Sequence, residues 1–181
     1  MLPGQTQIIS AEDVGRMVRR LAVEIVERTS GSQSLGLVGI RKGGEPLARR
    51  LAHAIEGLES HAIPVGTVDI NLYRDDAAIR LPDPEIGPSQ IDFDVNGQEV
   101  VLVDDVLQSG RTVRAAIDCL FDFGRPRRIW LAVLCDRGGR ELPIAPDFVG
   151  RVVQVGSQQL VQVEAAGGPG DGVFVSGGVN P

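Results

Sequence analysis

Two adjacent carboxylates, Asp104 and Asp105, close an apolar run from Val100 to Val103, and the small polar stretch Gln108-Ser109-Gly110-Arg111-Thr112 follows them almost at once. An apolar run of that kind reads as a buried strand. Leaving two carboxylates buried and unpaired beyond it would cost roughly several kcal/mol, so they must meet water, a cation or the hydroxyls of a ligand. The paired vicinal hydroxyls of a ribose fit that need. The next residues supply hydroxyls, a glycine free to take unusual dihedrals, and the N–H groups of a helix start, a combination that cradles a phosphate. Together the two halves describe a pocket for a ribose 5-phosphate. For the aspartates alone, a solvated acidic strand end explains the residues about as well. Ser109, Gly110 and Thr112 tip the balance toward the pocket.

The elements that must hold these residues alternate between helix and strand, with no internal repeat. Ser10-Ala11-Glu12-Asp13 has the form of an N-cap, and Val14, Met17, Val18, Leu21, Ala22, Ile25 and Val26 then share one helical face. A strand over Leu35 to Ile40 ends in the loop Arg41-Lys42-Gly43-Gly44, and Pro46 suits the first turn of a helix striped by Leu47, Leu51, Ala54 and Ile55. Val65 to Leu72 is the next strand. The stretch from Tyr73 to Ser89 holds three prolines and no sustained period, which marks a long excursion, a functional loop or a twisted hairpin. Val100 to Val103 has the two-sided apolar character of a strand inside a parallel sheet. Val113, Ala116, Ile117, Leu120 and Phe121 stripe the following helix, Gly124 ends it, and Ile129 to Leu134 is a further strand. Beyond Asp136, the strands Phe148 to Val155 and Leu160 to Val163, with Val173 to Val175 after a Gly-rich tail, read as a small antiparallel addition. The fold class is α/β, a mostly parallel sheet flanked by helices. In such sheets ligands bind beyond the carboxyl ends of the strands, where both aspartates fall.

Composition narrows the functions. The chain has 181 residues, enough for one domain with a real core, and its formal net charge of −6 speaks against coating nucleic acid through bulk charge, so any RNA contact must be local. Its apolar runs are strand-sized and no charged n-region precedes an apolar one, which implies no membrane span, no signal peptide and a cytoplasmic location. Cys119 and Cys135 lie in apolar segments without metal-ligand spacing and read as buried thiols. His53 and His61 read as surface residues, and Trp130 as core or subunit interface.

The stretch from Val100 to Thr112 resembles the phosphoribosyl pyrophosphate (PRPP) signature of type I phosphoribosyltransferases. Within that superfamily, VGIRKGGEPLARRLA (38–52), VDINLYRDD (68–76) and FGRPRRIWLAVLCDRGGRELPI (123–144) are similar to the PyrR family of pyrimidine operon regulatory proteins, which are also uracil phosphoribosyltransferases. The similarity runs from about Val14 to Arg151. It implies transfer of phosphoribose from PRPP to uracil, giving UMP and pyrophosphate, with magnesium carried mainly by the substrate and no metal site built from protein ligands alone. By resemblance Asp104 and Asp105 hold the ribose hydroxyls, Val106, Leu107, Gln108, Ser109, Gly110, Arg111 and Thr112 form the phosphate segment, and Arg41, Lys42, Gly43 and Gly44 form the pyrophosphate loop. Many relatives have Thr-Arg-Gly where this chain has Lys42-Gly43-Gly44, so a cation has moved by one position. Tyr73 and Arg74 open a flexible lid over residues 73–89, Arg74 acting in catalysis, and Cys135, Asp136 and Arg137 form the base-binding loop.

The family likeness further implies a homo-oligomer, and an RNA-binding attenuator of pyrimidine genes that senses nucleotide and takes operon leader mRNA as its partner. Arg19, Arg140 and Arg151 are the cations kept on that RNA face, Arg140 lying beyond the base loop and so separable from the transferase site. Val23 and Gly139 stand where relatives have histidines, Ala145 where they have a basic residue, and Gln154-Val155-Gly156 where they have Pro-Thr-Ser. Two other functions stay open: a regulator with weak transferase activity, and a purine phosphoribosyltransferase, against which the Leu72-to-Asp76 and Arg140-to-Pro143 segments speak.

Overall fold

A computed structural model describes residues 4–29, 31–70 and 88–177. The chain runs through β1 (Gln5–Ile9), α1 (Ala11–Arg28), a 3-10 turn (Ser32–Ser34), β2 (Leu35–Ile40), α2 (Gly44–Glu59), β3 (Val65–Val68), β4 (Glu99–Leu107), α3 (Arg111–Phe121), β5 (Arg128–Asp136), β6 (Phe148–Val152), β7 (Leu160–Glu164) and β8 (Gly172–Ser176). Five of these strands form a fully parallel sheet in the order β3-β2-β4-β5-β6.

The continuous apolar strands are explained by burial on both faces. Val101 and Val103 of β4, with Ala132 and Leu134 of β5, face the core made by α1 and α2. Their neighbours Val100, Leu102, Leu131 and Val133 face the core beneath α3. Each strand alternates its side chains between two apolar layers, so no polar alternation is needed. The α1 helix starts as its sequence suggests, with the Ser10 hydroxyl accepting a bond from the Asp13 N–H at 3.2 Å.

Four features differ from the sequence expectation. The strand carrying the aspartates continues to Leu107, because β5 keeps pairing with it (Val106 with Cys135, Leu107 with Asp136) after β2 has ended opposite Val103. Phe148–Val152 does not join an antiparallel unit; it lies parallel to β5 at the sheet edge. The antiparallel unit has the order β1-β8-β7, and its β1 comes from the N-terminus, where Gln5–Ile9 is too short and polar to announce a strand. Phe121 also leaves the expected helix stripe and is 52% exposed. A buried carboxylate helps tie the segment before β8 to α2: Asp171 accepts the Gly167 and Gly168 N–H groups at 3.1 Å and pairs with Arg50 of α2 at 2.7 Å.

At the far end of the sheet, buried Glu99 accepts the Trp130 indole N–H at 2.7 Å and pairs with Arg127 at 2.6 Å. Glu99→Ala strands the indole donor in the core, so we expect a loss of roughly 1–3 kcal/mol in stability. A urea midpoint indistinguishable from the parent's would show the pair to be dispensable.

Candidate functional site

Four segments meet at the carboxyl edge of the parallel sheet: the loop after β2, the last residues of β4, the turn into α3 and the loop after β5. At its centre, Asp104 is 5% exposed, and its Oδ1 accepts the Asp105 N–H at 3.0 Å. The half-buried Asp105 accepts the Val106 N–H at 2.8 Å. Burial, and then the neighbouring negative charge of Asp105, hold the Asp104 carboxyl well above the usual carboxylate range. Burial, and then the same charge, push the Cys135 thiol up to about 12, so Cys135 is an inert thiol at neutral pH.

Gly43 sits directly against Asp105: a Cβ at that position would lie 2.1 Å from Asp105 Oδ2. Gly44 is closer still to the strand, its imagined Cβ falling 2.0 Å from the Val103 carbonyl oxygen. The two glycines let the start of α2 pack onto the end of β4. The Arg41–Lys42 peptide is cis. Arg41 turns away from the aspartates, its Nε lying 3.4 Å from Glu45 Oε2 and its Nη2 bonding Thr67 Oγ1 at 3.5 Å.

The turn into α3 is open. Gly110, at φ +90, stands at the N-cap and offers the first-turn N–H groups no side-chain acceptor of its own. Ser109 Oγ accepts the Arg111 N–H at 3.3 Å, and Arg111 pairs with Glu141 at 2.7 Å. The side chains of Val106 and Leu107 pack into the two cores.

The loop after β5 is tied to this turn. The Glu141 and Leu142 N–H groups donate to the Ser109 carbonyl at 3.0 and 3.1 Å. Arg140 bridges both loops, its Nη1 donating to the Gln108 carbonyl at 2.9 Å, its Nη2 to Asp136 Oδ2 at 2.6 Å and its Nε to the Ile144 carbonyl at 2.9 Å. Burial opposes the charge on Asp136, but the Arg140 pair and the Gly138 N–H outweigh it and hold the carboxyl below its ordinary value. Arg140 therefore links the loop after β5 to the turn into α3. Arg137 donates its N–H to the Leu107 carbonyl, while its guanidinium reaches Gln159 and Gly156.

Among the expected RNA-facing residues, Arg19 and Arg151 are exposed but line different cavities. Tyr73 and Arg74 lie outside the described residues. Sequence reading missed Glu45, although the spacing Arg41, Glu45, Arg49 places a carboxylate four residues from each arginine and could have revealed it. Glu141 left no such signal, because its partner Arg111 is thirty residues away.

The phosphoribosyl transferase domain matches residues 4–163. A hypoxanthine-guanine phosphoribosyltransferase from Bacillus anthracis shares the fold, with a TM-score of 0.68 at 18% identity over 94% of this chain and 96% of that one. A hypoxanthine phosphoribosyltransferase from Staphylococcus aureus does so with a TM-score of 0.69 at 15% identity over 96% and 92%. Fold and site thus define the class of type I phosphoribosyltransferases. The chain belongs, within that class, to the PyrR family: it is 52% identical to the bifunctional protein PyrR of Roseiflexus sp. over 95% of each chain, and 49% identical to that of Thermus thermophilus over 88% of each.

Proposed function

We propose that the chain transfers phosphoribose from PRPP to uracil, forming UMP and pyrophosphate, as a single domain in the cytosol. The observation that carries this reading is the pair Asp104 and Asp105 set beside the uncapped start of α3 at one sheet edge. The carboxylates orient the ribose hydroxyls, and Ser109, Gly110 and Thr112 hold the 5-phosphate on the helix N-terminus. As the C1–O bond to pyrophosphate breaks, a C1–N1 bond to uracil forms and the N1 proton is lost. The loop at Arg41 to Gly44 faces the departing pyrophosphate, with Lys42 as its exposed cation. Backbone groups of Cys135 to Arg137 read the base edge, and Tyr73 and Arg74 belong to a covering lid at 73–89.

Two carboxylates at this sheet edge suit a magnesium ion that keeps its substrate and water ligands. Bound with PRPP, that ion neutralises charge on the departing pyrophosphate. Purified protein given labelled PRPP and magnesium should form nucleotide with uracil and not with hypoxanthine or guanine. Product from a purine alone would overturn the uracil assignment.

Thr112→Val keeps the shape of the side chain and removes its hydroxyl. Losing a hydrogen bond to a charged group costs about 1.5–3 kcal/mol, so the KM for PRPP should rise tenfold or more. An unchanged KM would place the hydroxyl outside the phosphate cradle.

RNA regulation is proposed on the family likeness and on the exposure of Arg19 and Arg151. The protein should bind its own pyrimidine-operon leader more tightly than a scrambled RNA, with an affinity that falls steeply with salt and changes with UMP. Equal binding of both RNAs in a filter assay, indifferent to UMP, would leave a salvage enzyme. A homo-oligomer is expected and is read by the molar mass in solution.

A further inference from the structure

A concave groove of about 440 Å³ lies between α1 and α2, away from the aspartates, and is lined by Gly15, Val18, Arg19, Pro46, Arg49, Arg50, His53 and Ala166. Three arginines and a histidine stand in that lining, and no acidic residue does. Arg50 is neutralised by Asp171 and forms the floor. Arg19 is exposed and lies back over Gly15, its Nη1 3.6 Å from where a Cβ there would stand. Arg49 is 64% exposed and pairs with Glu45 at 3.0 Å. A hollow of this size with guanidinium groups and no carboxylate in its lining suits an anion with some length, and guanidinium forks favour phosphate oxygens.

We propose that this groove binds phosphate esters, and that Glu45 couples it to the pyrophosphate loop. Glu45 uses one oxygen for Arg49 in the groove and the other for Arg41, 3.4 Å away at the transferase edge. A phosphate that takes Arg49 frees Glu45 to hold Arg41 more firmly, and so draws that guanidinium further from an incoming pyrophosphate group. Groove occupancy then raises the KM for PRPP and, by linkage, PRPP loosens the groove ligand by the same factor. An exposed ion pair of this kind changes an equilibrium by at most about fivefold. The coupling rests on the transferase reading above; phosphate binding by the groove does not.

The test is a backbone-amide NMR titration of the full chain with inorganic phosphate, UMP and a single-stranded RNA 12-mer in separate arms. Amides of residues 15–19 and 47–53 should move with at least one probe, distinguishably from those of 109–112. A response to UMP marks a free-nucleotide site, and a response to RNA alone marks an RNA backbone track. The double variant Arg49→Gln and His53→Gln, both exposed on α2, should lose the groove response and keep the response at 109–112. Silence of the groove amides with all three probes, or equal shifts in the variant, overturns the groove. Groove binding that leaves the KM for PRPP unchanged overturns the Glu45 coupling alone, and a chain that makes no UMP but still binds phosphate there overturns only the transferase reading.

Discussion

Asp104→Asn and Asp105→Asn should each lower turnover about ten- to a hundredfold, and Asp104→Asn should at the same time make the fold more stable at neutral pH. The first effect follows from the loss of a charged acceptor for a ribose hydroxyl, about 1.5–3 kcal/mol in the orientation of the reacting sugar. The second follows from burial. In the unfolded chain Asp104 ionises near the ordinary 3.8, whereas in the fold desolvation and the charge of Asp105 raise its pKa well above that. Between the ordinary value and the native one, the native state therefore holds a proton that the unfolded state has released, and above the native value the carboxylate is charged in both. Stability falls as pH rises from about 3.8 through the native pKa, and the whole penalty is present above it. A neutral asparagine carries no such penalty, so thermal melts of variant and parent should differ most at pH 8 and converge toward pH 4. Parent-like turnover in both variants would remove the ribose assignment. A destabilised Asp104→Asn at pH 8 would show that the Asp105 N–H bond outweighs the desolvation.

Arg140→Ala should raise the KM for both uracil and PRPP, each by tenfold or more. Its guanidinium ties Gln108 of the phosphate turn, Asp136 of the base loop and Ile144 to one another. Each bond joins a charged donor to its acceptor, worth about 1.5–3 kcal/mol singly, and the three share one group and so do not add. Arg140→Lys should rescue little, because an ammonium cannot span three acceptors with a planar fork. Asp136 supplies an independent readout. Its carboxyl pKa is depressed despite burial, so it stabilises the fold above the ordinary 3.8, and this contribution is lost as pH falls through the native value. Without Arg140 only the Gly138 N–H opposes burial, and the acid side of the stability profile should flatten. If only RNA affinity falls and both KM values stay put, Arg140 faces nucleic acid after all. Arg19→Glu and Arg151→Glu are cleaner probes of RNA, since both residues are exposed and neither bridges the loops.

Local pattern by itself determined much of this protein. The N-cap at Ser10, the helical stripe of α1 and the two-sided apolar strands are properties of short stretches, because helix and strand periods are set within a few residues. The grouping of the candidate site residues was legible for the same reason: Asp104, Asp105 and Gln108 to Thr112 lie close together in the sequence, and their place at a strand end follows from the parallel sheet that the strands themselves announce. Contacts between distant residues had no such signature. Only the folded chain could bring β1 beside β8, set β6 parallel to β5, or continue β4 to Leu107 by pairing it with Asp136. The same holds for Gly43, which reads in sequence as a missing cation and in the fold as the space that Asp105 occupies. Arg140 reads as a surface charge until Gln108 and Asp136 are seen on either side of it. Each of these depends on which backbone segments approach one another, and that is decided by packing two layers of helices onto one sheet, a sum over the whole chain that no window of neighbouring residues contains.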